Sequence, residues 1–430
     1  MGHRATSLFR LWSFDRNRES VRRFQDAQLR RLVAHAYARV PFYRSLFDRH
    51  GLRPQDIRGV GDLSAIPITD KNDLQEAGAR ARLVDGRDES SLFVRWTSGS
   101  TGQPMQICCT LWEESLLSCL RARALTPVGW RPWRRMARLK IISTSRRPPA
   151  WLSQLRKVGL YRETHIDCLL PPAEILRQVT EADPEVLMGF PTIVSLLAEL
   201  EEKPPLRRLR TIIIGGETST PSARRHIAEA FGAPVFSTYG SHEFNQLAVE
   251  CPRSGLLHVC GSIVLLEILK DGRTALPGEE GEVVATALHS FAMPFIRYRL
   301  GDVATQGPEH CPCGGSTSGT IQGVIGRTAD YLLLKDGEKA HPFRVIRALG
   351  DDFSWIRRYQ VVQRSIDEIE IRLVTAHRPD QSELTRVGQR IEKALGYKAK
   401  VKLEIADQIQ LGPHGKFKIC ESRLPVSPGR

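Results

Sequence analysis

Thr97-Ser98-Gly99-Ser100-Thr101-Gly102-Gln103-Pro104 follows the apolar run Leu92-Phe93-Val94, so it reads as a loop leaving a strand. Four of its eight residues carry hydroxyls and two are glycines. Glycine lets backbone approach a ligand with no Cβ in the way. Successive N–H groups in such a turn form an anion-binding concavity. Ser and Thr hydroxyls add donors that rotate to meet phosphate oxygens. The stretch is suited to a polyphosphate, yet G-x-x-x-x-G-K-[ST] cannot be laid on it. A polar surface loop has the same composition, so the surrounding segments must decide.

Outward from that loop, residues 18–50 read as helices, Met105–Cys109 as a strand and Trp112–Arg123 as a helix. Strands are expected at Leu139–Ile142, Val186–Gly189 and Thr211–Ile214, with helices at Ala173–Ala182, Thr192–Glu201 and Pro221–Phe231. Apolar runs alternating with helices predict an α/β fold with a mostly parallel, helix-covered sheet. From 256 to 326 the pattern changes to short strands and turns, which predicts a small antiparallel barrel-like subdomain. Residues 1–326 are thus expected to form the core. Residues 327–330 are expected to be a hinge. Residues 331–430, reading strand, helix, strand, strand, helix, strand, are expected to form a small α+β lid of ferredoxin-like type.

Three further segments carry chemistry. Tyr239-Gly240-Ser241-His242-Glu243 follows the strand-like Val235-Phe236; Tyr298-Arg299-Leu300-Gly301-Asp302 follows Met293–Arg297; Gly415-Lys416-Phe417-Lys418 lies near the C-terminus. With the first loop, in this order, they resemble the adenylate-forming superfamily of acyl-CoA synthetases and luciferase-like enzymes. His35–Arg44, Asp62-Leu63 and Ile66–Lys71 narrow the likeness to the phenylacetate–coenzyme A ligase branch, which includes capsule-locus homologues. The resemblance spans residues 30–420.

The resemblance implies two half-reactions. A carboxylate attacks the α-phosphate of ATP, and a thiol, that of coenzyme A, then displaces AMP. Thr97, Ser98, Gly99, Ser100, Thr101 and Gly102 would cradle the β- and γ-phosphates. Gln103 stands where similar enzymes usually carry lysine, which weakens the electrostatic grip. Glu243 would hold Mg²⁺; the bland reading is a glutamate at a helix N-terminus. Tyr239 and Gly240 would edge the adenine, as would Gly215, Gly216 and Glu217. Asp302 would accept from the ribose hydroxyls, or is simply a turn aspartate. Arg327 would contact the ribose–phosphate side, and Asp330 would be the pivot of the lid. Lys416 would neutralise the charge developing on the phosphoryl group.

Cys251, His258, Cys311 and Cys313 offer three thiolates and one imidazole, a complete tetrahedral zinc set of structural type, with His310 as an alternative to His258. Several members of the branch carry a similar order. Such a site would staple the antiparallel subdomain. The nine cysteines are odd in number and lack framework spacing, which argues against a secreted disulfide scaffold. Cys108, Cys109, Cys119 and Cys168 read as core residues.

Composition bounds the rest. Hydrophobic residues make up 41% and charged residues 26%, ordinary for a globular protein. No apolar run approaches ~18 residues, so no transmembrane segment is expected. Met1–Ala5 has no apolar signal core behind it, and a cytoplasmic location is expected. The net charge of +14 attracts polyanions such as ATP and coenzyme A. The densest basic stretch, residues 131–147 with Trp130 and Trp133 interleaved or adjacent, carries no nucleic-acid motif, and no nucleic-acid partner is expected. It is a solvated face, or a docking patch for coenzyme A phosphates or a lipid surface. A homodimer is a further expectation.

The leading expectation is therefore an AMP-forming acid–thiol ligase for an aromatic or compact apolar acid. The alternatives are an adenylating enzyme that delivers to an amine, a carrier protein or a saccharide, and a non-catalytic nucleotide-binding homologue.

Overall fold

The computed structural model describes residues 17–96, 105–140, 142, 150–315, 318–327, 332–335, 339–340, 355–397, 399–409, 420–422 and 424. These fall into two compact units, one drawn from residues 1–131 and 236–324, the other from 132–235 and 325–430.

The first unit opens with helices Arg18–Arg39 and Pro41–Arg49. Asn17 caps the first, its side chain accepting from the Glu19 amide. Pro41 starts the second, where its missing N–H costs nothing. Their apolar sides, with Leu29, Leu32, Tyr43 and Phe47 fully buried, join one core with strand residues such as Val264, Val283 and Ala304. Strands Phe93–Trp96 and Gln106–Cys109 pair antiparallel, Trp96 opposite Gln106, so the Gly/Ser/Thr stretch 97–104 joins the two strands of a hairpin. That stretch itself lies outside the described residues.

The strands expected over 256–326 are antiparallel. They run in the order Arg273–Thr274, Val264–Lys270, Glu280–Ala287, Tyr298–Gln306, Thr320–Arg327, Leu257–Val259, and the order continues into Ala248–Glu250 and Val235–Tyr239. One irregularity matters. Val284 faces Arg299 and Glu282 faces Val303, so two extra residues bulge from the strand Tyr298–Gln306. Gly301, at φ 76°, lets the backbone turn there.

In the second unit the parallel strands lie in the order Thr211–Gly215, Val186–Gly189, Met136–Lys140, Glu163–Asp167. Helices Pro172–Ala182, Pro191–Glu199 and Pro221–Phe231 cover it, burying Ile175, Val179, Val194, Leu197 and Ile227 against Leu139, Ile166, Leu187 and Ile212. Glu163–Asp167 escapes a sequence reading because Glu-Thr-His-Ile-Asp holds a single apolar residue; among the described residues it is the last strand of the order, with one neighbour.

The C-terminal part carries a four-stranded sheet ordered Lys400–Ile405, Glu368–Thr375, Ile356–Ser365, Cys420–Ser422. Helix Gln381–Leu395 packs on it through Val387, Ile391 and Leu395. Each such side chain contributes about 2 kcal/mol by leaving water. Asp380 caps the helix start and Gly396, at φ 81°, ends it. The strand–helix order expected of a lid agrees with this over 356–405; the helix expected at 342–350 lies outside the described residues.

Candidate functional site

Tyr239 ends the strand Val235–Tyr239, and its carbonyl is held twice, by the Leu247 amide at 2.8 Å and by Gln246 Nε2 at 2.8 Å. Those bonds fold residues 240–246 back on themselves. A Cβ on Gly240 would stand 2.3 Å from the Asn245 carbonyl oxygen, so only glycine fits. The Ser241 carbonyl accepts from the Asn245 amide and the Ser241 hydroxyl from the Phe244 amide. Glu243 therefore sits half-buried in a closed turn. No helix starts there, so the helix-terminus reading of this glutamate does not hold.

The Tyr239 hydroxyl donates to Asp302 Oδ2 at 2.7 Å across 63 residues of sequence. Asp302 sits in the bulge beside Gly301, not in a chain-reversing turn. The bulge re-aims its carboxylate out of the strand's regular alternation. An ionised carboxylate is acceptor-only with several lone pairs, so Asp302 keeps acceptor capacity beyond the tyrosine bond. The Tyr239 turn and the Tyr298 strand share an aromatic cluster: Phe244 lies 5.7 Å from Phe295 and 6.1 Å from Tyr298, centroid to centroid.

The N-terminal signature is the scaffold of that strand. Buried Tyr43 accepts from the Ile296 amide and donates to the Pro294 carbonyl. Burial pushes its phenol far above the ordinary value, so it stays protonated. Thr69 donates its amide to the Arg297 carbonyl and accepts from the Arg299 amide. Arg297, in the left-handed region at φ 45°, is locked by Glu267 at 2.9 Å and by the carbonyls of Ser64 and Ile66. Such strain persists only where the surroundings over-determine it. Glu113 adds a second brace, accepting from the Phe291 and Ala292 amides. Composition marks neither Arg297 nor Glu113 as more than a charge.

In the second unit Gly215, Gly216 and Glu217 leave the C-terminal end of the strand Thr211–Gly215. Gly216 has φ 83°, and a Cβ there would meet the Phe190 ring at 2.9 Å. The Glu217 carboxylate accepts from the Thr192 amide, in the first turn of Pro191–Glu199. Arg327 ends the strand Thr320–Arg327. Thr97–Gly102, Asp330 and Lys416 lie outside the described residues.

The four sulfur and nitrogen ligands come together. One donor atom each from Cys251, His258, Cys311 and Cys313 lies within 4.8 Å of the others. Cys311 Sγ is 3.9 Å from Cys251 Sγ, and Cys313 Sγ is 3.5 Å from His258 Nε2. Thiolates about 2.3 Å from a tetrahedral ion stand about 3.8 Å apart, so the set has the spacing of a metal cage and not of a disulfide. Burial pushes the Cys251 thiol up, but hydrogen bonds from the Ser254 hydroxyl and the Arg253 and Ser254 amides bring it down to about 7. Burial lowers His258, which favours the neutral, ligating imidazole. The Gly315 amide points at Cys313 Sγ, an outer-shell bond that orients a thiolate. His310 is not part of the cluster; it lies beside Arg18.

Residues 21–289 match the AMP-binding enzyme family, and residues 332–423 match the CapK C-terminal domain. The phenylacetate-coenzyme A ligase of Thermus thermophilus is 31% identical over 379 residues, 83% of this chain and 82% of that protein. Protein CapK of Staphylococcus aureus is 21% identical over 89% of this chain and 85% of its own length. The structure of 2-hydroxyisobutyryl-CoA ligase in the postadenylation state, in complex with 2-HIB-AMP, superposes with a TM-score of 0.76 over 94% of this chain and 88% of that one, at 21% identity. The chain belongs to the AMP-binding enzyme family, in the phenylacetate–coenzyme A ligase branch of the adenylate-forming superfamily.

Proposed function

We propose that this chain activates a carboxylic acid with ATP as its acyl-adenylate and passes the acyl group to the thiol of coenzyme A. The first step joins a carboxylate oxygen to the α-phosphorus and releases pyrophosphate. In the second the thiol sulfur joins the acyl carbon, AMP leaves, and the thiol proton goes to solvent. Its class is that of an acid–thiol ligase. The observation that carries the reading is the Tyr239–Asp302 pair, which fixes an acceptor-only carboxylate between two motifs far apart in sequence. Asp302 would take the ribose hydroxyls, and Tyr239, Gly240 and the Gly215–Gly216 turn would bracket the base. Glu243 would hold Mg²⁺ against the phosphates cradled by Thr97–Gly102. Arg327 would face the ribose–phosphate side and Asp330 would be the pivot that brings Lys416 in to stabilise charge on the α-phosphoryl group.

The compact or aromatic acid is favoured by the names of the relatives, phenylacetate for one and 2-hydroxyisobutyrate for another. The Cys251, His258, Cys311, Cys313 set would take Zn²⁺, whose role there would be structural because all four positions are filled by protein. Supply of ATP and coenzyme A suits a cytoplasmic location, and a homodimer is the assembly proposed.

Pyrophosphate release from ATP, Mg²⁺ and a panel of carboxylic acids tests the reading, with Lys416→Ala expected to lower adenylation by at least ~100-fold. Silence across the whole panel would overturn it. The CapK C-terminal match favours a second reading, in which an amine, a carrier protein or a saccharide takes the acyl group. Pyrophosphate release with no thioester on adding coenzyme A would select it; AMP binding without turnover would select a non-catalytic homologue.

A further inference from the structure

The arginine-rich stretch that begins near residue 131 has no part in the site above. In the second unit it leads into Met136–Lys140, and the structure brings a second basic segment beside it. The Tyr161 amide bonds the Pro132 carbonyl and Arg162 Nη2 the Trp133 carbonyl at 3.0 Å, so the turns entering Met136–Lys140 and Glu163–Asp167 lie side by side. In these two segments Trp133 is 58% exposed and Val158 72% exposed. Val158 sits at a turn closed by Gly159, at φ 82°, directly after Arg156 and Lys157. Residues 130–135 and 154–162 hold no carboxylate.

The neighbouring entry loops add charge of the same sign. Asp183 is shared by Arg135 and Arg208, and Glu185 by Arg134 and Arg210, two carboxylates among four guanidiniums. Glu201 and Glu202 lie farther along, balanced in part by Lys203 and Arg207. Among the described residues no carboxylate pairs with Lys157, Arg162 or Arg207. All these groups stand before the first residues of parallel strands. Gly189 and Gly215 are the last residues of two of them, and Phe190 and Gly216 follow. Open parallel sheets bind their ligands beyond the carboxyl ends. The basic face before these strands is therefore at the opposite edge of the parallel sheet from those turns.

We propose that this N-terminal edge of the parallel sheet docks on an anionic lipid bilayer, with Trp133 and Val158 entering the headgroup layer and the surrounding cations facing lipid phosphates. The pairing of chemistry favours a bilayer over a nucleic acid. A phosphate backbone rewards the cations alone, whereas an exposed tryptophan and an aliphatic tip flanked by cations gain from an interface that is apolar below and anionic above. Like charge disfavours a second copy of the same face. The inference is independent of the reaction proposed for the site.

Co-sedimentation of the full chain with phosphatidylcholine vesicles, with and without 30% phosphatidylserine, tests it at ~0.1 M salt. Binding is expected with the anionic vesicles and not with the neutral ones. Lys157→Glu and Arg207→Glu are each expected to weaken it at least ~5-fold, and Trp133→Ala to weaken it without altering the salt dependence. Leu276→Ala, exposed in the first unit, is expected to bind like the parent. Thermal melts confirm that each variant is folded. Equal binding by folded Trp133→Ala and Lys157→Glu, or no preference for anionic vesicles, would overturn the proposal. So would tighter binding to a DNA duplex that Trp133→Ala leaves unchanged.

Discussion

Asp302 shows what one glycine can do for a carboxylate. Gly301 takes a backbone angle that a Cβ would strain, and the resulting bulge presents Asp302 to the Tyr239 hydroxyl. Hydrogen bonds to charged groups contribute about 1.5–3 kcal/mol. On the proposed reading, Tyr239→Phe raises the KM for ATP about tenfold with little change in kcat, because the carboxylate remains but loses its brace; a pyrophosphate-release assay with varied ATP reads this, and an unchanged KM would show that the tyrosine bond does not position Asp302 for the nucleotide. Gly216→Ala places a Cβ both at φ 83° and against the Phe190 ring, and is expected to lower stability by about 1–3 kcal/mol in urea unfolding. The residue types at 239, 243 and 302 were legible in the sequence. The bulge was not, because register is set by a partner strand, Glu280–Ala287, that no local pattern announces.

Among the elements, helix Leu111–Ala124 is tied to the segment before Tyr298 by one side chain. Glu113 closes its own capping box with Thr110 and also accepts from the Phe291 and Ala292 amides. Glu113→Ala strands two amides and is expected to cost about 3 kcal/mol, measured by denaturant midpoint; a loss no larger than that of an exposed glutamate would show that water replaces it. In the C-terminal sheet, burial pushes the Glu370 carboxyl up, but Arg364 and Arg372 pull it further down, to a net value below the ordinary one. A depressed folded-state pKa gives stability that is present above the unfolded value near pH 4.5 and is lost as pH falls through the folded one. The parent should lose stability on acidification across that window, and Glu370→Gln should flatten the loss. Pattern reading located Val186–Gly189 and Pro221–Phe231 to the residue, since burial on both faces and a capped Thr220-Pro221 start leave strong local signals. It missed Glu163–Asp167, where solvent at an edge removes the apolar signal.

At the scale of the molecule, spacing in sequence foretold the gathering of Cys251, His258, Cys311 and Cys313, and geometry chose His258 over His310. Purified protein is expected to carry about one zinc per chain by elemental analysis, and Cys311→Ser with Cys313→Ser to carry none and to melt at lower temperature. Metal-free parent with unchanged melting would rule out a structural ion. The His35–Lys71 signature was legible only as kinship. Its physical sense needs three dimensions, because Tyr43 and Thr69 act on backbone more than two hundred residues away.

That long reach of Thr69 and Tyr43 has a genetic corollary. Heat-labile alleles gathered by random mutagenesis should cluster between residues 35 and 70 as well as at the motifs, and their first symptom on warming should be weakened grip on the nucleotide, well before the chain as a whole unravels.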